Sequence, residues 1–416
     1  MTGAERVAGI QDALREEGLA GWLLFDFHGT NPIARSVVLV PDGPGAPKTT
    51  RRWFYFVPAN GAPEKVVHRL EPHALDHLPG ETRVYLTWEE LNRTVANAVQ
   101  RIVRLAGTTS GNAPAIAMEY SPRGSLPYVS RVDAGTVELI RDAGAQVVTS
   151  ADLAQRFDGV LDPAAREDHV RTGHILHAIL TGAFAKVRDA IRAGAGTRKP
   201  ALTEVSLQRW MLERFAAEGL VATDPPTIAV NAHSGDPHFS TSPATDAPIR
   251  EGDVLLIDAW GKAPRPGAVY ADYTQMAFIG AAIPERHASV FAAVRDARDA
   301  AIEAVRAAVS SGRTIRGCDV DDVARGVMRA RGLAEYFVHR TGHSIGQEVH
   351  ANGVHLDNLE TRDERRLLDG TLVSVEPGAY FEDFGVRSEI NLLVDRGKVV
   401  VTTEPVQREL PALLAP

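Results

Sequence analysis

The sequence is short of cysteine and of long apolar runs, and each shortage excludes a class of protein. The single cysteine among 416 residues cannot form an internal disulfide, which excludes the secreted domains that disulfides hold together. No apolar run approaches the roughly 18 residues that a membrane helix needs, and the first residues lack the apolar core of a secretory signal. We therefore expect a cytoplasmic protein with no membrane partner.

Positive charge is also in short supply. Lys and Arg number 45 against 53 Asp and Glu, so the formal net charge is −8. Because binding to nucleic acid needs a basic face, we expect no nucleic-acid partner. Hydrophobic residues make up 44% and charged residues 24%, the ordinary balance of a globular protein. The length is comfortable for two domains.

The pattern of elements predicts those two domains. The first alternates helices with short strands, among them 22–27 and a hairpin that turns at Asn60-Gly61, a favoured pair for tight turns. Asp158-Gly159 and Asp162-Pro163 interrupt the pattern, as turn residues do at boundaries. We place the domains at 1–158 and 159–416. The second opens with a long helix, whose apolar residues recur every three or four positions over 176–191.

A weak internal repeat lies in the second domain. The segments 252–258 and 370–376 each begin with glycine, continue as an apolar strand and reach a carboxylate six positions later, at Asp258 and Glu376. A second carboxylate follows each one at a similar distance, at Asp272 and Glu389. This indicates two related halves, each of which contributes two acidic residues from neighbouring strands.

Four carboxylates in one place must be protonated or must hold a cation, because like charges disfavour joint ionisation. By sequence pattern, Asp258 and Glu376 each end an apolar strand, and a buried carboxylate without a partner is costly. For these two the functional interpretation is preferred over a solvated surface charge. For Asp272 and Glu389 the spacing alone leaves both interpretations open.

Histidines supply a further candidate ligand between the two acidic pairs. His339, His343 and His350 fall within twelve positions and are surrounded by small residues, which let the backbone approach a site closely. His238 lies in a turn-rich segment 20 residues before Asp258 and would be a weak signal by itself.

Together these residues resemble the aminopeptidase P/prolidase branch of the pita-bread metallopeptidases. Five residues match that family's metal ligands in order: Asp258, Asp272, His343, Glu376 and Glu389. Their contexts are LLID, YADYT, TGHSIG, VSVEPG and GVRSEI. The resemblance covers about 160–405, and the first 155 residues resemble the α/β creatinase-like domain of this branch. It implies an α+β pita-bread catalytic domain, with curved antiparallel sheet inside and helices outside, behind an N-terminal α/β domain with a mixed sheet.

The resemblance also implies the chemistry. Two divalent metal ions would be bound. Asp258 would hold one metal through both carboxylate oxygens, Asp272 and Glu389 would bridge the two metals, and His343 and Glu376 would complete the second. A hydroxide between the metals would be the nucleophile, and Glu376 would relay its proton to the leaving amine. An oxygen-rich ligand set suits Mn²⁺, and Zn²⁺ or Co²⁺ are the other candidates.

Four further residues match the family's surroundings of the metals. His238, His339 and His350 resemble its histidines that steady the substrate and the tetrahedral intermediate. Arg387 resembles an arginine that orients Glu389 and meets the substrate's carboxylate, a task suited to the planar guanidinium. A purely structural ion pair is an equal interpretation of Arg387.

The expected substrate is a small peptide with proline at its second position, and the expected assembly is a homodimer. Trp260 stands where the family commonly has glycine, and the 260–270 loop is about three residues longer than usual. A shortened cleft favours the dipeptidase, prolidase, over aminopeptidase P, which acts on longer peptides. A metal-free hydrolase of the creatinase type is disfavoured because all five ligands are present. A non-enzymatic binding protein is disfavoured for the same reason, and a methionine aminopeptidase by the N-terminal domain.

Overall fold

The computed structural model describes residues 2–41, 45–107, 113–194 and 202–416. The chain divides into two compact units, Met1–Asp158 and Gly159–Pro416, and each is described by itself. Across the described ranges, no helix has both the length and the apolar character needed to cross a membrane.

The first unit is built on a mixed sheet. Its described strands are β1 (Gly21–Asp26), β2 (Trp53–Pro58), β3 (Glu64–His68), β4 (Glu81–Tyr85), β5 (Ala115–Met118) and β6 (Gln146–Thr149). They lie in the order β4-β3-β2-β1-β5-β6. β1 runs antiparallel to β2 and parallel to β5. The predicted mixed sheet and the hairpin of β2 and β3 are confirmed.

Helices cover this sheet with apolar side chains. The helices are α1 (Gly3–Glu16), α2 (Pro32–Val37), α3 (Trp88–Ala106), α4 (Ala134–Asp142) and α5 (Ala151–Asp158). One apolar cluster joins α1 to one side of the sheet and another joins α3 to other residues of the same strands. The sequence did not predict β4, because four of its five residues are exposed and it therefore lacks an apolar pattern.

The second unit contains longer helices. They are α6 (Pro163–Gly194), α7 (Glu204–Ala217), α8 (Glu285–Ser310) and α9 (Gly317–Ala330). The predicted apolar face of α6 is buried, with Leu176, Leu180 and Val187 in the main core of the unit. The helix begins at Pro163, well before residue 176, where the apolar repeat that predicted the helix starts.

The strands of the second unit form small antiparallel sheets. They are β7 (Leu202–Thr203), β8 (Thr227–Val230), β9 (Pro248–Ile249), β10 (Val254–Gly261), β11 (Ala271–Phe278), β12 (Leu372–Val375), β13 (Gly378–Tyr380), β14 (Gly385–Arg387), β15 (Ile390–Asp395) and β16 (Lys398–Val401). Two sheets, in the orders β11-β10-β8 and β12-β15-β16, correspond to the two predicted halves. Each half pairs the two strands next to its carboxylates.

One detail of the predicted repeat is wrong. Asp258 does not end its strand, because β10 continues to Gly261 and keeps pairing with β11 as far as Ala271. Ala259 is buried within that continuation, so the apolar pattern of the strand extends past the carboxylate. Glu376, in contrast, directly follows the last residue of β12.

Candidate metal and active site

The pairing of β10 with β11 places two predicted ligands on one face. Asp258 lies opposite Thr274, and Asp272 lies opposite Trp260. Residues that are directly opposite, or two apart on one strand, share a face of a sheet. These four side chains therefore project from the same face.

The second half brings its carboxylates together at the strand ends. Val375 pairs with Ile390, so Glu376 and Glu389 lie just beyond this last pair. The two halves are joined by Asn391, whose Oδ1 accepts a hydrogen bond from the backbone N–H of Asp272 at 2.9 Å.

The segment that carries His343 lies along β12. The backbone N–H of His343 donates to Ser374 Oγ at 2.9 Å, and the N–H of Ser374 donates to the His343 carbonyl at 2.8 Å. A Cβ at Gly342 would lie only 2.0 Å from the Ser374 carbonyl oxygen, so this approach requires glycine. Ser374 Oγ also donates to Glu376 Oε1 at 2.9 Å, which fixes one ligand candidate relative to another.

Among the described residues, three buried side chains form a compact group of potential metal ligands. One ligand atom each from Asp272, His343 and Glu389 lies within 4.8 Å of the others. His343 Nε2 lies 3.4 Å from Asp272 Oδ2 and 3.3 Å from Glu376 Oε1. Asp258 and Glu376 are half-buried beside this group. The two acids that spacing left undecided are thus the more buried pair.

Arg387 and Thr274 connect the remaining carboxylates. Arg387 Nη2 lies 2.6 Å from Asp258 Oδ2, and its Nε donates to Thr274 Oγ1 at 3.1 Å. Thr274 Oγ1 lies 2.8 Å from Asp258 Oδ1 and 2.7 Å from Glu389 Oε2. The predicted orienting arginine therefore contacts Asp258 directly and reaches Glu389 through Thr274. Sequence reasoning missed Thr274, although it belongs to the quoted YADYT segment.

The pKa values of the group reflect burial and crowded negative charge. Burial, together with the charges of Asp258 and Glu376, raises the pKa of Asp272 to about 6. Burial and the neighbouring acids hold the pKa of Glu389 well above its usual range. Burial alone would lower the pKa of His343, but Asp272 and Glu376 raise it. Burial opposes ionisation of Glu376, yet His343, His339 and Arg387 lower its pKa.

These residues fit a divalent cation. Asp272 Oδ1 and Glu389 Oε1 are buried and have no hydrogen-bond partner within the described part of the chain. Buried polar atoms are normally paired, and a cation between the two oxygens would pair both and offset the repulsion of the carboxylates. A set of carboxylates and one imidazole is oxygen-rich, which suits hard or borderline divalent metals.

A cavity of about 750 Å³ opens onto this group, and all nine predicted site residues line it. The Nε2 atom of His339 lies 2.7 Å from Tyr380 Oη. His350 stands edge-on to His343, with ring centroids 4.2 Å apart, and His238 is exposed. Burial lowers the pKa of His339 to about 4, so His339 is neutral at pH 7. Partial burial and the charge of His343 also lower the pKa of His350, although this residue is exposed.

Two further cavity residues bear on the predictions. The Tyr380 hydroxyl contacts His339 and lies 3.3 Å from Arg387 Nη1. Tyr380 was not among the predicted site residues, although its position four residues after Glu376 could have indicated it. Trp260, predicted as the first residue of the 260–270 loop, lies within strand β10 because its pairing with Asp272 continues the strand, and it lines the cavity. Val269 and Tyr270, at the other end of that segment, are buried in an apolar cluster against which Trp260 also packs.

Comparison with known proteins finds relatives that are named as dipeptidases. The probable dipeptidase PepE of Mycobacterium tuberculosis is 34% identical over 209 residues, which cover 50% of this chain and 51% of that protein. The Xaa-Pro dipeptidase of Pyrococcus furiosus is 30% identical over 190 residues, covering 44% and 48%. The chain thus spans about half the length of these curated relatives.

A solved structure extends the likeness to the whole fold. Dipeptidase PepE from Mycobacterium ulcerans superposes with a TM-score of 0.63 and 25% sequence identity, covering 99% of this chain and 98% of that one. The sequence profile of metallopeptidase family M24 matches residues 174–396, more than half of the chain and all five candidate ligands. The chain belongs to metallopeptidase family M24 and has the pita-bread fold that the resemblance predicted.

Proposed function

We propose that this protein is a dinuclear metal-dependent Xaa-Pro dipeptidase, which hydrolyses the peptide bond before proline. The observation that carries the proposal is the group of Asp272, His343 and Glu389 beside the cavity, with two buried carboxylate oxygens that have no partner among the described residues. The relatives named as dipeptidases support the substrate class.

Five residues would hold the metals: Asp258, Asp272, His343, Glu376 and Glu389. Divalent cations at this place would supply a water of lowered pKa and would polarise the scissile carbonyl. We propose Mn²⁺ as the native ion because oxygen ligands dominate the set, with Zn²⁺ and Co²⁺ as the alternatives.

The chain's own residues divide the remaining work. Glu376 has a lowered pKa, so it is ionised at neutral pH and can accept a proton and deliver it to the leaving amine. Ser374 holds this carboxylate in place. His350 and His238, both exposed, would offer ring nitrogens to the oxygens of the substrate. The ring nitrogens of His339 contact the Arg340 carbonyl and Tyr380 Oη, so His339 would steady the substrate through Tyr380. Arg387 balances the charge of Asp258.

Aminopeptidase P activity, the release of the first residue from longer Xaa-Pro peptides, is the second candidate. Trp260 lines the cavity where the family commonly has glycine, and this larger side chain favours the shorter substrate. The creatinase-like identity of residues 1–158, the cytoplasmic location and the homodimer belong to the same proposal.

The test gives Mn²⁺-loaded protein an equal mixture of Ala-Pro and Ala-Pro-Ala, with and without chelator, and follows both by mass spectrometry. Chelator-sensitive loss of Ala-Pro supports the dipeptidase, and preferential loss of Ala-Pro-Ala supports aminopeptidase P. Glu376→Gln is the inactive control, and the exposed Glu382→Gln is its matched active control. If neither peptide is cut, the proline-specific proposal is wrong.

A further inference from the structure

Helix α9 carries a buried ion pair, Asp321 with Arg325, that takes no part in the chemistry proposed so far. Arg325 Nε lies 2.7 Å from Asp321 Oδ2, and the two side chains are 13% and 0% exposed. A buried ion pair is by itself weak evidence for stability, because apolar side chains of similar volume often serve a fold equally well. The other contacts of the pair therefore indicate its role.

Those contacts are with the backbone of the segment that carries His339, which lies outside helices and strands. Arg325 Nη1 donates to the Phe337 carbonyl at 3.0 Å, and Nη2 donates to the His339 carbonyl. Asp321 Oδ1 accepts from the backbone N–H of Thr341 at 2.9 Å and from its hydroxyl at 2.6 Å. Buried backbone groups need such partners, so helix α9 fixes the path of this segment.

Arg325 also supports His339 through a neighbouring ring. Its Cζ lies 4.3 Å from the ring centroid of Phe337, and Phe337 meets His339 edge-on with centroids 5.5 Å apart. His339 and Tyr380 both line the cavity, and His339 Nε2 lies 2.7 Å from Tyr380 Oη. A contact of that length depends on where the backbone of His339 is held.

We propose that Arg325 is a positioning residue of the active site, which holds His339 in contact with Tyr380. This inference rests on the proposed function and adds to it a residue of α9. The guanidinium presents its donors in a fixed fork, so one side chain can bind two carbonyls and pair with Asp321 at the same time. Precise placement matters because a shift of about 1 Å in an active site can cost about 100-fold in rate.

The experiment is a double-mutant cycle on kcat for Ala-Pro, in Mn²⁺-loaded wild type, Arg325→Gln, His339→Gln and the double variant. We expect Arg325→Gln to lower kcat by about tenfold or more, with Mn²⁺ affinity by calorimetry within about twofold of wild type. Because Arg325 acts through His339, the double variant should match His339→Gln within about twofold. Losses that multiply in the double variant, or an unchanged kcat in Arg325→Gln, would overturn the assignment.

Arg166→Gln is the matched control. Arg166 is 14% exposed, pairs with two aspartates and donates through Nε to the Leu161 carbonyl at 3.0 Å. Both arginine variants should lose stability in urea unfolding, because each leaves bonded groups without partners. Only Arg166→Gln should keep kcat within about twofold of wild type. A similar fall of kcat in Arg166→Gln would show that lost stability, and not the position of His339, explains the effect.

A second variant covers the case in which Arg325→Gln leaves the charge of Asp321 unpaired and does not fold. Arg325→Lys then replaces it in the cycle, since lysine keeps the charge and loses the fork. The same outcomes of the cycle support or overturn the assignment.

An experiment without substrate separates this inference from the proposed function. If wild type does not cut Ala-Pro, the proposed hydrolysis fails, and nuclear magnetic resonance of protein with isotope-labelled histidine decides about Arg325. The ring signals of His339 are identified by their absence in His339→Gln. A shift of these signals in Arg325→Gln or Arg325→Lys, and none in Arg166→Gln, supports the positioning role. Unchanged signals in the Arg325 variants refute it.

Discussion

The two units each bury a carboxylate site, and the two sites differ in how their oxygens are partnered. In the first unit, Glu119 is fully buried and both of its oxygens are bonded. Oε1 accepts from Trp22 Nε1 at 2.7 Å and from Ser150 Oγ at 3.0 Å, and Oε2 accepts from Asn31 Nδ2 at 2.8 Å. In the second unit, Asp272 and Glu389 each keep one buried oxygen without a partner in the described residues.

Burial raises the pKa of the carboxyl group in both places, so neither burial nor pKa tells the two sites apart. The hydrogen-bond partners of the carboxylate oxygens distinguish the two sites. Neutral donors complete the site of Glu119, which marks it as structural, whereas the other site is filled with further acids and leaves oxygens open to a cation. Exchanging single side chains at each site tests this difference between the two units.

The largest expected effect is that of Glu389→Gln. Loss of a charged ligand should weaken Mn²⁺ binding and lower kcat/KM by at least about 100-fold, since each 1.4 kcal/mol lost from the transition state is tenfold in rate. The metal-free variant should unfold at the same temperature as wild type or higher, because repulsion with Asp272 is relieved. Activity assays and calorimetric unfolding after chelation measure the two effects. A clearly lower metal-free melting temperature would mark Glu389 as structural instead.

Removing the buried carboxylate of the first unit should lower stability and leave metal binding unchanged, the reverse of the effect expected for Glu389→Gln. Glu119→Ala leaves the donors of Trp22 and Asn31 unpaired, so we expect a loss of about 3 kcal/mol of unfolding free energy. Mn²⁺ affinity of the folded fraction should not change. Urea unfolding measures the first effect, with the exposed Glu138→Ala as control. Unchanged stability in Glu119→Ala would contradict the structural role.

The smallest expected effect concerns a buried histidine with neutral partners. His169 Nδ1 lies 2.8 Å from the Tyr270 carbonyl and Nε2 lies 2.6 Å from Thr402 Oγ1, and burial lowers its pKa from 6.5 to about 4. The folded state thus disfavours the charged form. Its contribution to stability is present above pH 6.5 and is lost as the pH falls towards 4.

At pH 5 the loss amounts to about 2 kcal/mol relative to pH 8. Urea unfolding of wild type and His169→Gln at the two pH values isolates this amount, since the other histidines contribute to both proteins. Equal pH dependence in the two proteins would show that His169 titrates normally in the folded state.

The sequence was informative where local pattern and order carry the signal. The halves of the second unit, their paired strands and the order of the five candidate ligands follow from glycine, apolar runs and carboxylate spacing. The burial of Asp272 and Glu389 could not be predicted from the sequence, because it depends on how β12, β15 and the segment that carries His343 pack together. The contact between Arg387 and Thr274 could not be predicted either, because the two residues belong to different halves of the second unit.

The link between Asp272 and Asn391 has a consequence for how the protein acquires its metal. The two residues are 119 positions apart, and Thr274 and Glu389 are 115 apart. Contacts over such separations form late, after long loops have closed. A cation therefore finds its complete set of ligands only in a chain that has already folded. A bound cation then raises the free energy of unfolding as the ratio of free metal to its dissociation constant increases. Metal supply therefore acts on the stability of the folded protein and not on its path of folding.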